Sequence, residues 1–384
     1  MDDARTETAR WRAPGRVNLI GEHTDYNGGL ALPFAIEQSC LAEVSRADAG
    51  FAAVSAQSGA VDLSSLTELA DADSWTRYVL GPARVLADEG VDVPPLQVRI
   101  DSDVPSGAGL SSSAAVICAV LAALDDLLGL GLPIDEQVRL AVRVENDVVG
   151  APTGGLDQLV SLRAQGDHAV LCDFSSDGTP GAEQVPLDLA ADDLVLLVVD
   201  TGVRHSHADG AYGERRRACE EAADLLGVGA LGELSGEDLP EALARLDDEM
   251  LRRCVRHVVT EDDRVREVVT LLRSGRVADI GDHLSASHAS LRDDYRVSSD
   301  ELDLTVETLV SAGALGARMT GGGFGGCAIA LLPVDDVTRA VNAVQTAYAG
   351  AALPEPLWFT ARPSPGARPE SAPGPSPAPS RPTG

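Results

Sequence analysis

The sequence predicts an α+β protein of two domains followed by a tail. Three observations predict it. The chain has 384 residues, more than one ordinary core accommodates. Apolar residues make up 44% of it, the share of a globular chain. Strand-like and helix-like segments are mixed along its length, with no internal repeat. The boundary is placed loosely near residue 180, giving domains 1–180 and 181–363. Residues 364–384, "SPGARPESAPGPSPAPSRPTG", are rich in Pro, Ser and Gly, have little to bury, and are expected to be a disordered tail.

The elements are justified in order. "LALPFAI" from Leu30 and "PPLQVRI" from Pro94 read as strands, the second through alternating Leu96, Val98 and Ile100. "SSSAAVICAVLAALDDLLGL", Ser111–Leu130, is apolar nearly all round and should be a buried helix. "DEQVRLAVRVENDVVG", Asp135–Gly150, is amphipathic with an acidic start, as suits a helix N-terminus. "HAVLCDF" and "DLVLLVVD" are short apolar strands. Ala211–Arg273, rich in Glu, Arg, Ala and Leu, is helical. "GCAIALLP" is a strand, "VTRAVNAVQTAYAG" a helix and "LWFTARP" a last strand.

Composition excludes several functions. The formal net charge of −30 argues against nucleic acid, whose phosphates need a basic face. No apolar run is long enough to span a membrane, and "MDDARTETAR" carries no secretory pattern. The six cysteines form no CxxC pair and read as reduced, buried thiols of a cytoplasmic protein. The chain contains no lysine. Walker A loops and protein kinases place a lysine on nucleotide phosphates, so any phosphate here must be held another way.

Three stretches carry chemistry. "VPSGAGLSSSAAV", Val104–Val116, puts Gly107 and Gly109 ahead of three serines at a helix start. A helix N-terminus leaves N–H groups unpaired and can receive phosphate, and serine hydroxyls suit phosphate or Mg²⁺. The same residues also read as a glycine turn with a serine N-cap. "MTGGGFGGCAIA", Met319–Ala330, has five glycines in the six positions from Gly321 to Gly326. It reads as a second backbone cradle or as a bulged turn. "APGRVNLIGEHTDYNGG", Ala13–Gly29, sets Arg16 beside Glu22, His23 and Asp25. Such acceptors and donors suit sugar hydroxyls. A metal site and a solvated turn are the competing readings, although the spacing fits no metal template.

These stretches resemble a known family. "APGRVNLIGEHTDYNGG" is similar to the signature of galactokinases. "VPSGAGLSSSAAV" resembles the ATP motif, and "MTGGGFGGCA" the third motif, of the wider GHMP small-molecule kinases. "TGVRHSHADGAYGERRRACEEAA", Thr201–Ala223, looks like the galactokinase segment that holds a sugar-binding tyrosine. The similarity runs in order from about Trp11 to Pro363.

The resemblance implies a GHMP-kinase-like α+β fold of two domains, with mixed sheets and the active site in the cleft between them. It implies transfer of the γ-phosphoryl of ATP to the anomeric hydroxyl of α-D-galactose, the first committed step of galactose catabolism. Arg16 and Asp157, the latter in "PTGGLDQ", fall on the catalytic positions. Glu22, His23, Thr24, Asp25, Gly154 and Tyr212 fall on sugar-binding positions. Gly107, Ala108, Gly109, Leu110, Ser111, Ser112 and Ser113 match the nucleotide loop, and Ser113 and Glu145 the magnesium positions. Galactose and ATP are the expected partners of a cytoplasmic monomer that touches neither nucleic acid nor membrane. A kinase for galactosamine or L-arabinose, or a non-catalytic galactose and ATP sensor, is the alternative.

The chain departs from the family pattern in places. Members carry a longer stretch with an aromatic helix before the first strand, so the edge near Trp11 is expected to be less covered. His207 stands where an apolar residue is common. Gly155 and Leu156 replace bulkier residues, which would loosen the sugar pocket. His283 and His288 share one helix and are expected to be solvated.

Overall fold

Strand β1 (Thr8–Asn18) carries the first motif into the middle of a sheet, and the rest of the fold is arranged round it. The computed structural model describes residues 7–151, 153–175, 180–204 and 208–371. Its remaining strands are β2 (Leu30–Ala31), β3 (Pro33–Arg46), β4 (Phe51–Ser55), β5 (Gly59–Leu63), β6 (Leu96–Ser102), β7 (His168–Asp173), β8 (Gly181–Pro186), β9 (Leu194–Arg204), β10 (Gly316–Thr320), β11 (Gly325–Pro333), β12 (Leu357–Ala361) and β13 (Arg368–Pro369). The helices are α1 (Ser74–Asp88), α2 (Ser112–Leu128), α3 (Ile134–Arg143), α4 (Leu156–Arg163), α5 (Ala208–Leu226), α6 (Leu239–Arg245), α7 (Glu249–Arg273), α8 (Gly281–Ser290), α9 (Asp300–Ser311) and α10 (Val337–Gly350).

Three sheets form. The first runs β13-β1-β3-β6-β4-β5, the second β10-β11-β9-β12, the third β2-β7-β8. The pairings are antiparallel except for β4 with β6, so the first sheet is mixed. The apolar run of Ser111–Leu130 is indeed a buried helix: eleven side chains of α2 are buried and it packs on β1 and β3. The amphipathic run Asp135–Gly150 begins as α3 and ends as a π-turn over Val144–Val149, which contains Glu145.

Two apolar cores divide the protein, and β9 belongs to both. Side chains alternate across a strand, so Leu194, Leu196 and Val198 enter one core while Val195, Leu197 and Val199 enter the other. The expected division at residue 180 falls just before β8, which pairs with β7. The changeover between cores is carried instead by β9.

The segment from Ser364 is not loose at its start. Gly366 N–H donates to Ala164 O at 2.7 Å, and β13 lies along the edge of β1 with Trp11 opposite Pro369. Arg12 reaches Glu370 at 3.3 Å. An open strand edge invites pairing, and proline is tolerated on an edge strand. The uncovered edge expected near Trp11 is therefore closed by the chain's own residues 364–371. Residues 372–384 of the expected tail lie outside the described residues, as do His207 and Pro152. No helix among the described residues is long and apolar enough to cross a membrane.

Candidate active site

The bulge in β1 between Pro14 and Arg16 sets the site's first side chain. A Cβ on Gly15 would stand 2.6 Å from Leu110 O, so only glycine lets β1 approach the loop before α2 this closely. Arg16 N–H donates to Leu110 O at 3.1 Å, and its NH1 donates to Gly109 O at 2.6 Å. The other end of the guanidinium, NH2, lies 2.7 Å from Asp157 Oδ1. One arginine thus grips the serine loop and the expected base together. Asp157 stands in the first turn of α4, and the Ser161 hydroxyl, one turn on, donates to Pro14 O at 2.8 Å. That bond fixes α4 against β1 and so fixes the Arg16–Asp157 pair. Gly155, at φ +91, precedes α4 in the left-handed region, so glycine is needed there for the backbone.

A cavity of about 250 Å³ opens over this pair. Arg16, Asp157, Glu22, His23, Asp25, Gly154, Tyr212 and Glu145 line it, so the expected catalytic and sugar positions converge with one exception. Thr24 is fully buried, and its hydroxyl lies 2.9 Å from Gly21 O and 2.7 Å from Leu30 O. It closes the loop and does not line the cavity. Gly321 and Gly322 of the third motif complete the wall, and a Cβ on Gly322 would stand 3.7 Å from the Tyr212 ring.

The wall is tied across the two cores. Glu22 Oε1 accepts the Gly321 N–H at 2.8 Å and stands 3.3 Å from NH2 of Arg318, a fully buried arginine. From α7, Glu261 Oε1 accepts Gly21 N–H at 3.0 Å and Asp262 Oδ1 accepts Leu30 N–H at 2.8 Å. His257 Nε2 donates to Glu22 O at 3.1 Å. Burial pushes the Glu261 carboxyl up, but Arg264, His257 and Arg318 outweigh it and hold it at about 2. Three side chains of one helix therefore hold both ends of the loop from Gly21 to Leu30.

Electrostatics differ between the expected sugar residues. Loss of water lowers His23 to about 3, with His257 and Arg318 adding to the effect, so the ring is neutral. Its Nδ1 is 2.9 Å from Tyr26 OH, which meets Tyr295 OH at 2.8 Å, and its ring lies 5.5 Å from that of Tyr212. Asp25 is raised to about 6 by burial and by the charges of Asp157 and Glu22. Gly154 must be small, since a Cβ there would come within 3.1 Å of Asp25 Oδ2.

The serine loop has the backbone it needs and an unused hydroxyl. Gly107 and Gly109 have φ of +70° and +75°, and Ser111 sits at +59°, an uncommon conformation for serine. Ser111 makes no side-chain cap bond, and its Oγ is buried without a partner. Ala108 and Leu110 are buried and anchor the loop. A Cβ on Gly321 would stand 3.4 Å from Gly109 O, so the two glycine-rich loops meet backbone to backbone. Ser113 Oγ donates to Glu145 Oε1 at 2.9 Å, and Gln158 donates to the other oxygen of Glu145. Burial and the Asp157 charge raise Glu145. A second cavity, about 280 Å³, shares Ser106, Ser112 and Ser113 with this loop and is walled by Trp75 and Tyr78.

Some of these residues gave no signal in the sequence. Gly15, Asn18 and Gln158 lie inside the quoted motifs, but their residue types carry no distinct chemical signal there. Ser161, His257, Glu261, Asp262, Trp75 and Tyr78 lie far from any motif, and only the fold brings them here. His288 differs from its expected solvated state: it is buried, with Nδ1 3.4 Å from Met319 N and Nε2 3.2 Å from Asp303 Oδ1. His283 pairs with Glu267 at 3.2 Å.

Comparison with known proteins gives concordant matches. Residues 3–46 match the profile "Galactokinase galactose-binding signature". Residues 77–165 match "GHMP kinases N terminal domain" and residues 268–350 "GHMP kinases C terminal". A galactokinase of Streptomyces coelicolor is 50% identical over 366 residues, covering 93% of each chain. One of Mycobacterium tuberculosis is 42% identical over 364 residues, covering 94% of this chain and 99% of the other. A crystal structure of Lactococcus lactis galactokinase complexed with galactose superimposes with a TM-score of 0.88 at 33% identity, covering 95% of each chain. A mevalonate kinase at 17% identity, TM-score 0.67, shares the fold alone.

Proposed function

The chain belongs to the galactokinase family of GHMP kinases, and from that premise we infer its reaction and the part each residue plays. It is an ATP-dependent sugar kinase that transfers the γ-phosphoryl of ATP to the anomeric hydroxyl of α-D-galactose, giving galactose 1-phosphate and ADP. The observation that carries the mechanism is the 2.7 Å contact of Arg16 with Asp157 at the wall of the cavity.

Asp157 takes the proton of the anomeric hydroxyl as that oxygen attacks phosphorus. Such help is worth roughly 10²–10⁴-fold. Arg16 favours the negative charge that develops between sugar and phosphate. Because Arg16 also bonds the Gly109 carbonyl, it sets the distance between base and serine loop. Glu22, His23, Asp25, Tyr212 and the Gly154 backbone hold the sugar, while Thr24 shapes the loop that presents them. Gly107 to Ser113 hold the phosphates through backbone N–H groups and the dipole of α2. The second cavity, with its Trp75 and Tyr78 walls, takes the nucleoside.

Ser113 and Glu145 supply hard oxygen atoms 2.9 Å apart, the chemistry Mg²⁺ prefers. Among the described residues no group of three or more His, Cys, Asp or Glu side chains could hold a metal. Two protein ligands suffice for Mg²⁺, which takes the rest from phosphate and water. When bound, the ion neutralises charge on the transferred phosphoryl.

The two-domain division is proposed with its crossing at β9, a cytoplasmic location fits six free thiols, all buried, and a monomer is the proposed state. The test is a sugar panel with ADP detection and NMR identification of the product. Galactose 1-phosphate formed with ADP in equal amounts supports the reading. ATP and galactose bound without ADP release would make the protein a sensor.

A further inference from the structure

Asn18 ends β1, two residues beyond Arg16 on the same face of the strand, and forms part of the cavity wall. It is 1% exposed. Its Nδ2 donates to Gly21 O at 3.0 Å and to Glu22 Oε2 at 2.9 Å. Both partners can only accept. The amide therefore has one possible orientation, and its other corner must be the carbonyl Oδ1. That oxygen is buried and has no hydrogen-bond partner. A buried carbonyl without a donor is costly and rare, and at a cavity wall it calls for a ligand.

The chemistry of the missing partner follows. Oδ1 can only accept, so the partner must donate. Phosphate oxygens of ATP at neutral pH have no proton to give, whereas a sugar hydroxyl has one. Glu22 has little capacity left to compete. Its Oε1 takes Gly321 N–H at 2.8 Å, shares the Thr320 hydroxyl at 3.1 Å, and has Arg318 at 3.3 Å. Its Oε2 takes Asn18 and keeps one free acceptor site.

Resting on the galactokinase reading, we propose that Asn18 is a specificity-determining residue whose side-chain carbonyl accepts a hydrogen bond from one hydroxyl of the sugar. Its amide nitrogen meanwhile aims Glu22 Oε2 at the same end of the cavity. A sugar lacking that hydroxyl leaves the carbonyl unpaired and is rejected.

The test is a cycle between residue and substrate. Wild type and Asn18→Ala are assayed for kcat/KM with galactose and with its 2-, 3-, 4- and 6-deoxy derivatives. Wild type should lose about tenfold or more on one derivative in particular, the loss expected for one unmade buried bond. Asn18→Ala should lose a similar factor on galactose but almost nothing further on that derivative, while the other derivatives show independent losses. Independent losses on every derivative overturn the proposal and leave Asn18 a structural residue. If Asn18→Ala does not fold, crystals of the wild type with galactose decide: a hydroxyl oxygen within about 3.2 Å of Oδ1 supports the contact, and a water or no atom there overturns it. A wild type that phosphorylates no sugar would overturn the parent reading and this one with it. Turnover without coupling overturns this one alone.

Discussion

Glu22 and Arg318 form an ion pair at 3.3 Å that joins the first motif to the residue just before the third, with the arginine fully buried. Arg318 NH1 also donates to Leu19 O at 2.9 Å, so a single cation holds both the end of β1 and the first acidic residue of the cavity. Removing one partner of a buried pair leaves the other charge uncompensated. Arg318→Met should destabilise the protein by about 3–5 kcal/mol. Combining Arg318→Met with Glu22→Gln should cost less than the sum of the two single changes. Urea melts of the four proteins measure both. Strict additivity would show that the pair does not couple the motifs.

Asp157→Asn keeps size and removes the anionic acceptor. Turnover should fall at least about a hundredfold, within the range for loss of a general base, while galactose still binds. Calorimetry for binding and ADP release for turnover separate the two. Near wild-type turnover would take the proton-accepting role away from Asp157.

Asp25 gives a pH dependence with a definite sign. Burial first, then Asp157 and Glu22, raise it to about 6 from the ordinary carboxylate value of 3.8. Below about 6 it is protonated, so KM for galactose should rise as pH falls through that value. Stability runs the other way. The folded pKa lies above the unfolded one, so Asp25's contribution is fully present below 3.8 and is lost as pH rises through 6. Asp25→Asn should therefore raise Tm relative to wild type at pH 8 and lose that advantage at pH 4. An equal effect at both pH values would mean that Asp25 is an ordinary carboxylate.

Truncations test where the tail begins. Deleting residues 372–384 should leave Tm and activity unchanged, since that stretch of Pro, Ser and Gly has little to bury. Deleting from Ser364 removes β13, the Gly366 N–H bond to Ala164 O and the Glu370 contact with Arg12, and exposes the edge of β1. It should lower Tm and promote self-association, read by light scattering. Equal stability of the two truncations would show that β13 does no structural service.

The sequence was most legible where one residue type has one use. Alternation in "PPLQVRI" and the apolar surround of "SSSAAVICAVLAALDDLLGL" correspond to β6 and α2. Arg16 and Glu22 stand out because their motif is compact, whereas Asp157 is marked only by the resemblance of "PTGGLDQ" to the family's segment. What stayed hidden depends on packing between distant segments. Glu261 looks like any helix surface acid until α7 lies against Gly21, and the Pro-rich run at Ser364 looks unstructured until an edge strand needs a cover. Thr24 sits in the middle of a motif, yet its hydroxyl faces two carbonyls of its own loop. Its neighbours do not reveal which way it turns.

The last prediction concerns phosphate binding in a chain without lysine and with net charge −30. Long-range charge repels ATP, so attraction must be local. The loop supplies it: Gly107 and Gly109 hold positive φ, Ser111 keeps a buried hydroxyl without a partner, and α2 directs its N-terminus there. Arg16, the cation whose side chain contacts this loop, is already shared between Gly109 O and Asp157. Dipoles of this kind act within the first turn, whereas the global repulsion is screened over about 8–10 Å at physiological salt. Raising salt moderately should leave ATP affinity unchanged or improve it. A site built on exposed basic side chains would weaken instead. Gly107→Val puts a branched side chain at a φ of +70°, which β-branched residues hardly adopt, and places it where backbone meets phosphate. It should weaken ATP binding strongly and leave galactose binding, measured alone, as in the wild type. Steady loss of ATP affinity with salt, together with normal ATP binding by Gly107→Val, would show that the nucleotide is held by something other than this backbone cradle.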